Sequence, residues 1–307
     1  MRAGLVLCLA WGCAEDMAND GATFVDDAPP PVVVEESFVS ERVPADVLLM
    51  IDNSSSMADE QAALAADLEA FAEVIAELGA GAHVGMITAD CQFIRCGRMR
   101  EVQGSRWITG RESDLEGWLA EAMQPGITGP PTEQGLYATA MAIGGPAGRR
   151  DNAGFYRVNA DLHVVTVTDE RDYSPDRPYA DGLAGLKVDG FQSFYHLYAG
   201  RAYGNCMGVS RADGYVEVWQ RVGGVVRDVC DLNAGFLTAV ARELVIRSSG
   251  RVFELAAPAT NLSVSVDEGA GPVLLAPDAF TYEEATRLVF LRDPVVDGAT
   301  VSVTYTR

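Results

Sequence analysis

A carboxylate and two hydroxyls alternate in Asp52-Asn53-Ser54-Ser55-Ser56-Met57, directly after the apolar run Val47-Leu48-Leu49-Met50-Ile51. Side chains two apart on an extended chain point to one side, so Asp52, Ser54 and Ser56 aim three oxygen donors at one place. Carboxylate and hydroxyl oxygens are hard ligands, suited to Mg²⁺, Mn²⁺ or Ca²⁺ rather than to zinc or copper. A hydroxyl from Ser54, Ser55 or Ser56 would equally well cap the N-terminus of a following helix. The hexapeptide alone therefore carries two readings.

The elements that must position these donors follow from hydrophobic periodicity. An unbroken apolar run bounded by polar residues predicts a strand buried on both faces, as in a parallel sheet. In such sheets ligands bind in the crevice beyond the carboxyl ends of the strands. After the hexapeptide, Leu64, Leu68, Phe71, Val74, Ile75 and Leu78 form a helical stripe over Ala58–Leu78, which Gly79-Ala80-Gly81 ends. Strands are predicted at His83–Thr88, Leu162–Thr168, 192–198 and Val225–Val229. Helices are predicted at 112–123, 133–143, Tyr215–Arg221 and 233–246, with a polar, hairpin-like region over Cys91–Ile108. This alternation implies an α/β fold with a doubly wound, mostly parallel sheet. Beyond Gly250 the pattern changes to short strands separated by turn residues such as Gly269-Ala270-Gly271 and Asp297-Gly298. That segment reads as a small β-rich C-terminal module, antiparallel or extending the main sheet. The expected organisation is 1–13 as an export signal, 14–44 as an acidic, Pro-containing linker, 45–250 as the α/β domain and 251–307 as the β module. Within the linker, Val32-Val33-Val34 is able to pair as an edge strand.

With these elements in place the chain resembles the von Willebrand factor type A (vWA) domain, a Rossmann-like fold also found as the inserted domain of integrins. That family carries a metal-ion-dependent adhesion site built from a D-x-S-x-S strand end, a separate Thr and a later Asp at a strand end. The matching residues are Asp52, Ser54 and Ser56, then Thr132 in Gly129-Pro130-Pro131-Thr132-Glu133-Gln134-Gly135-Leu136, then Asp169 after Val165-Thr166-Val167-Thr168. Thr128 is the alternative to Thr132. The likeness covers 45–250, and Val222-Gly223-Gly224 together with the Asp169-Glu170 string is similar to bacterial secreted members. The resemblance implies a divalent cation, Mg²⁺ first with Mn²⁺ or Ca²⁺ as alternatives. It implies one coordination position left for the Asp or Glu carboxylate of a protein partner, with Asp169 acting through water. It also implies a binding or adhesion module and no catalysis. Asp90, Glu170, Asp172 and Asp176 crowd the same rim, as a solvated acidic loop or a second calcium site, with Tyr173, Tyr179 and Met207 as contact surface.

Composition narrows the remaining classes. A net charge of −21 argues against nucleic acid as a partner, because phosphate binding needs clustered Lys and Arg. A bound cation reverses the local field, so the same charge does not exclude an acidic partner at the site. No G-x-S-x-G motif is present, and the three His residues are scattered, so a metal-dependent hydrolase is the weaker alternative. A structural envelope component with an incidental metal site is the other. Met1-Arg2, the apolar stretch Gly4–Trp11 and Gly12-Cys13 resemble a short bacterial lipoprotein signal, an ordinary signal peptide being the alternative. Export to the bacterial cell envelope follows, with lipid on Cys13 anchoring the protein to the outer membrane. The four later cysteines suit an oxidising compartment, and the local pairings Cys91–Cys96 and Cys206–Cys230 are expected. His83, His163 and His196 are read as strand-packing residues. The oligomeric state is not readable from these residues.

Overall fold

A computed structural model describes residues 31–91, 96–175, 179–187, 190–200, 209–231 and 235–307. The chain divides into two compact units, one formed by Arg42–Ser249 and the other by residues up to Glu41 together with Gly250–Arg307.

Arg42–Ser249 is the α/β unit. Its strands, numbered along the whole chain, are β2 (Ala45–Ile51), β3 (Ala82–Thr88), β4 (Trp107–Ile108), β5 (Asp161–Thr168), β6 (Ser193–Ala199) and β7 (Val226–Arg227). They form one sheet in the order β4-β3-β2-β5-β6-β7. All neighbours are parallel except the antiparallel pair β3–β4. Every residue of β2 is buried, as the apolar run requires. The chain leaves β2 for β3 on one side and returns to β5 on the other. The carboxyl ends of β2 and β5 therefore flank the switch point at which such sheets bind ligands.

The helices are α1 (Ala58–Ala66), α2 (Glu69–Leu78), α3 (Leu115–Met123), α4 (Gly135–Ile143), α5 (Pro146–Arg150), α6 (Tyr179–Ala184), α7 (Tyr215–Val222) and α8 (Phe236–Ser248). Leu48 and Met50 of β2 pack with Leu136, Ala138 and Ala142 of α4 and with Val216 and Val218 of α7. Val47, Leu49 and Ile51 on the opposite face are equally buried. The single helix expected over Ala58–Leu78 is instead two, broken at Asp67-Leu68. The break has a cause: the Asp67 carboxylate accepts hydrogen bonds from Leu237 N–H (2.6 Å) and Thr238 Oγ1 (2.9 Å), capping the first turn of α8. The expected Cys91–Cys96 disulfide is present. Cys206 lies outside the described residues, as do the signal region, Asp176 and Met207.

The second unit is all β. Strands β1 (Val33–Val39), β13 (Thr300–Thr306), β9 (Thr260–Asp267) and β10 (Val273–Leu274) form one antiparallel sheet in that order. Strands β11 (Phe280–Glu283), β12 (Leu288–Leu291) and β8 (Val252–Glu254) form another. Val34, Val264, Val301 and Val303 from the first sheet share a core with Phe253, Val289 and Leu291 from the second. Of the two arrangements open to the C-terminal strands, the antiparallel module is realised. The edge pairing open to Val32-Val33-Val34 is realised by β1, which runs the length of β13 from Val33 opposite Thr306 to Val39 opposite Thr300 and so takes residues 33–39 out of the expected linker. Its Glu36 is buried, accepting hydrogen bonds from Tyr305 Oη and from Ala256 N–H at 3.1 Å. The β module is thus discontinuous in sequence, closed by its own N-terminal strand.

Removing residues 1–41 strips β13 of its outer partner. The Gly250–Arg307 segment should then be cut rapidly by trypsin while Arg42–Ser249 keeps its resistance, and equal resistance in both units would overturn this assignment.

His163 and His196 are buried side by side in β5 and β6, with Nδ1 of His163 3.0 Å from Nε2 of His196. Val225 N–H donates to His196 Nδ1 at 3.1 Å, so the neutral ring of His196 carries its proton on Nε2 and donates to His163. Burial holds His163 well below the ordinary histidine range and lowers His196 to about 3. Both rings are therefore neutral in the folded protein and protonate on unfolding. Their contribution is complete above about pH 6.5 and is lost as the pH falls toward the folded values, at about 1.4 kcal/mol per pH unit for each ring. Urea titrations from pH 7 to 5 should give wild type a steeper loss of stability than His196→Asn, by one proton; parallel slopes would refute the neutral pair.

Candidate metal centre

The site begins where β2 ends. Asp52 N–H continues the ladder by donating to Val167 O at 2.9 Å, which sets the end of β2 beside that of β5. Asp52 is fully buried. Its Oδ1 accepts the Ser54 N–H at 2.7 Å and its Oδ2 accepts the Thr168 hydroxyl at 2.9 Å. Gln61 of α1 clamps the same turn, donating from Nε2 to Asp52 O (2.9 Å) and to Gly126 O (3.0 Å). Ser54 Oγ and Ser56 Oγ lie 3.1 Å apart, as the alternate spacing predicts. The capping alternative is not realised: neither Ser54, before the short 3₁₀ turn Ser55–Met57, nor Met57, before α1, makes a side-chain cap.

Asp169 follows β5 and is 2% exposed. Burial raises its carboxyl above the ordinary range; the Ser56 hydroxyl opposes this and the Asp52 charge reinforces it. Asp52, Ser54, Ser56 and Asp169 are thus brought together. Thr132 is placed differently. It lies exposed, in a loop tied to the hexapeptide by Gly129 N–H donating to Asn53 O at 2.7 Å. A Cβ at Gly129 would stand 2.5 Å from Asn53 Oδ1, so a larger residue would have to turn the Asn53 side chain away.

The residue beside Thr132 enters the site instead. Glu133 is 1% exposed, with Oε2 3.4 Å from the Thr168 hydroxyl that also serves Asp52. Burial, and then the adjacent Asp52 carboxylate, push its carboxyl well above the usual range. Glu60 of α1 is buried nearby and raised first by burial, then by Asp169, Asp59 and Asp52. Glu133, Glu60 and Thr168 were missed by sequence reasoning. Thr168 had a signal, since it precedes Asp169 on a strand; Glu133 differed from Thr132 only by one residue of loop phase.

The rim divides by role. Asp172 accepts from Leu136 N–H (3.2 Å), Ser174 N–H (3.2 Å) and Ser174 Oγ (2.8 Å), so it caps α4 and is no solvated loop residue. Tyr173 is exposed beneath the Arg171 guanidinium, 4.7 Å from the ring centre, and the Tyr179 hydroxyl is bound to Pro175 O. Asp90 and Glu170 are half-buried.

Oxygen chemistry fits a hard cation here. Asp169 Oδ1, Glu133 Oε1 and Glu60 Oε2 are buried without a hydrogen-bond partner, and the charges acting on Glu133 and Asp169 are carboxylates. A buried carboxylate oxygen requires a proton, a donor or a cation. Among the described residues no three His, Cys, Asp or Glu side chains are drawn together as a ready metal cluster. The donors here are carboxylates interleaved with hydroxyls.

No protein-family model matches the sequence, and no curated protein matches it. Among solved structures, the chain is similar to the pilus adhesin SpaC from Lactobacillus rhamnosus GG at 12% identity and a TM-score of 0.47, covering 91% of this chain and 42% of that one. It is similar to a von Willebrand factor type A protein from Catenulispora acidiphila at 14% identity and a TM-score of 0.43, covering 90% and 60%. The pilus adhesin RrgA from Streptococcus pneumoniae matches at 10% identity and a TM-score of 0.37, covering 93% and 60%. The chain spans less than two thirds of each of these structures.

Proposed function

We propose that the Arg42–Ser249 unit is a vWA-like binding module of the bacterial cell envelope that captures a protein partner through a divalent cation. The observation that carries this reading is the unpartnered, buried Oδ1 of Asp169 beside the Asp52–Ser54–Ser56 turn. Asp52, Ser54, Ser56 and Asp169 would hold the ion, and the loop after Gly129 would supply a further oxygen. When bound, the cation supplies positive charge at the surface of an acidic protein, which suits an Asp or Glu side chain of the partner. The protein's own residues fix the geometry: Gln61 clamps the strand end, Thr168 orients the Asp52 carboxylate, and Gly129 draws the loop over Asn53.

Binding without catalysis fits the placement of the histidines. His83 is in register with Asp46 and His163 with Val47, at the amino ends of their strands. At about 3.3 Å per residue this puts these two roughly 16–20 Å from Asp52; His196, level with Leu49 through Val165, lies two strands over and is held on His163, so none of the three serves the site as a general base. The Cys91–Cys96 disulfide suits an exported protein. Among the described residues no helix is long and apolar enough to cross a membrane, and attachment through Cys13 belongs to the same proposal.

The test is capture of immobilised proteins from a cell-surface panel, with and without amidation of their carboxyl groups. EDTA, Ser54→Ala and amidation should each reduce capture about tenfold or more, while circular dichroism shows the variant folded. Undiminished capture after EDTA or in Ser54→Ala would sink the reading; loss with EDTA but not with amidation would remove the carboxylate partner.

A further inference from the structure

We infer that Glu133, and not Thr132, is the loop residue whose side chain ligates the cation. This rests on the cation reading above and sets the Glu133 carboxyl beside Asp52, on the same Thr168 hydroxyl. Glu133 is buried with Oε1 unpartnered, and its Oε2 reaches the hydroxyl that holds Asp52. Thr132 is exposed and has no hydrogen bond to Asp52, Ser54, Ser56 or Asp169.

The backbone fixes this choice. Glu133 O accepts the Tyr173 N–H at 2.8 Å and Gln134 N–H donates to Ala89 O at 3.0 Å. The residue is thereby strapped between the loops that follow β5 and β3, and its side chain is turned into the sheet end. Bringing Thr132 into the same place would require the loop to slip by one residue, which would put Gln134 where Gly135 now lies. A side chain at Gly135 would have to displace two core side chains: a Cβ there would stand 2.4 Å from Tyr215 Oη and 2.6 Å from Met50 Cε, both residues fully buried. The glycine that lets α4 press against β2 thus also selects which neighbour faces the ion.

A carboxylate in the place of the expected hydroxyl holds a cation more tightly, since affinity rises with ligand charge. Glu133 is then a metal ligand that fixes the ion before any partner arrives.

Mn²⁺ binding by the full chain at pH 7.5, followed by electron paramagnetic resonance and calorimetry, tests the assignment without reference to any partner. Glu133→Gln preserves shape and should weaken Mn²⁺ at least tenfold, while Thr132→Ala stays within twofold of wild type. Unchanged affinity in Glu133→Gln, or loss confined to Thr132→Ala, would overturn the inference and leave the cation reading standing. Failure of wild type to bind Mn²⁺, Mg²⁺ or Ca²⁺ at millimolar concentration would overturn both. A merely structural Glu133 would instead show itself as a loss of apo stability in Glu133→Gln with Mn²⁺ affinity retained. Anomalous diffraction from Mn²⁺-soaked crystals should place the ion against the Glu133 carboxylate, and an ion removed from it would refute the assignment.

Discussion

The fold of the α/β unit turns on one carboxylate buried at the end of its central strand. Asp52 N–H extends the β2–β5 ladder to Val167 O, and its side chain closes the next turn onto Ser54 N–H while accepting the Thr168 hydroxyl. Strand end, hexapeptide and neighbouring strand are thus registered against each other through a single residue. Gln61 and Gly129 then attach α1 and the loop before α4 to the same turn. Four chain segments therefore meet on one turn, and the buried carboxyls of Glu133 and Asp169 gather beside it.

The sequence made the α/β core legible because apolar runs and helical stripes are local. Val47–Ile51 and Leu162–Thr168 announced buried strands, and those strands pair in parallel. Long-range contacts were hidden. The break at Asp67 exists to cap α8, whose first residues lie 170 positions further along, and no pattern within Ala58–Leu78 reveals it. The valines of β1 were legible as an edge strand, but its extension through Glu35 and Glu36 was not, since Glu36 becomes tolerable inside the β unit only through Tyr305 and Ala256, contributed by distant parts of the chain. The candidate site was legible to the extent that it uses strand periodicity. Asp52, Ser54, Ser56 and Asp169 follow a period of two or sit at a strand end, whereas a loop has no period, so nothing local told the exposed Thr132 from the buried Glu133.

Net charge is a poor guide to such a surface. At −21 the chain should repel an acidic partner at long range. Within a Debye length of about 8 Å at physiological salt, however, local charges dominate. A divalent ion at the proposed site would offset the buried carboxylates there, and the hydroxyls of Ser54 and Ser56 would add ligands without adding charge. The ratio of carboxylates to hydroxyls would then balance retention of the ion against its remaining attraction for an incoming anion.

β2 carries its own control for this argument. Asp46, near its amino end, is as buried as Asp52. There the chain supplies a permanent cation: Arg157 approaches with Nη2 at 2.7 Å from Oδ1, while its backbone N–H donates to Oδ2 at 2.6 Å. At the carboxyl end, among the described residues, the side-chain partners of Asp52 are a hydroxyl and a further acid. Two equally buried carboxylates on one strand are thus treated oppositely. An arginine at the amino end makes a fixed anchor, because guanidinium stays protonated and cannot leave. Oxygen donors at the other end suit a charge that exchanges with solvent and can be shared with another molecule. The two ends of a single strand thus satisfy the same buried group with different chemistry, a guanidinium at one and oxygen donors at the other.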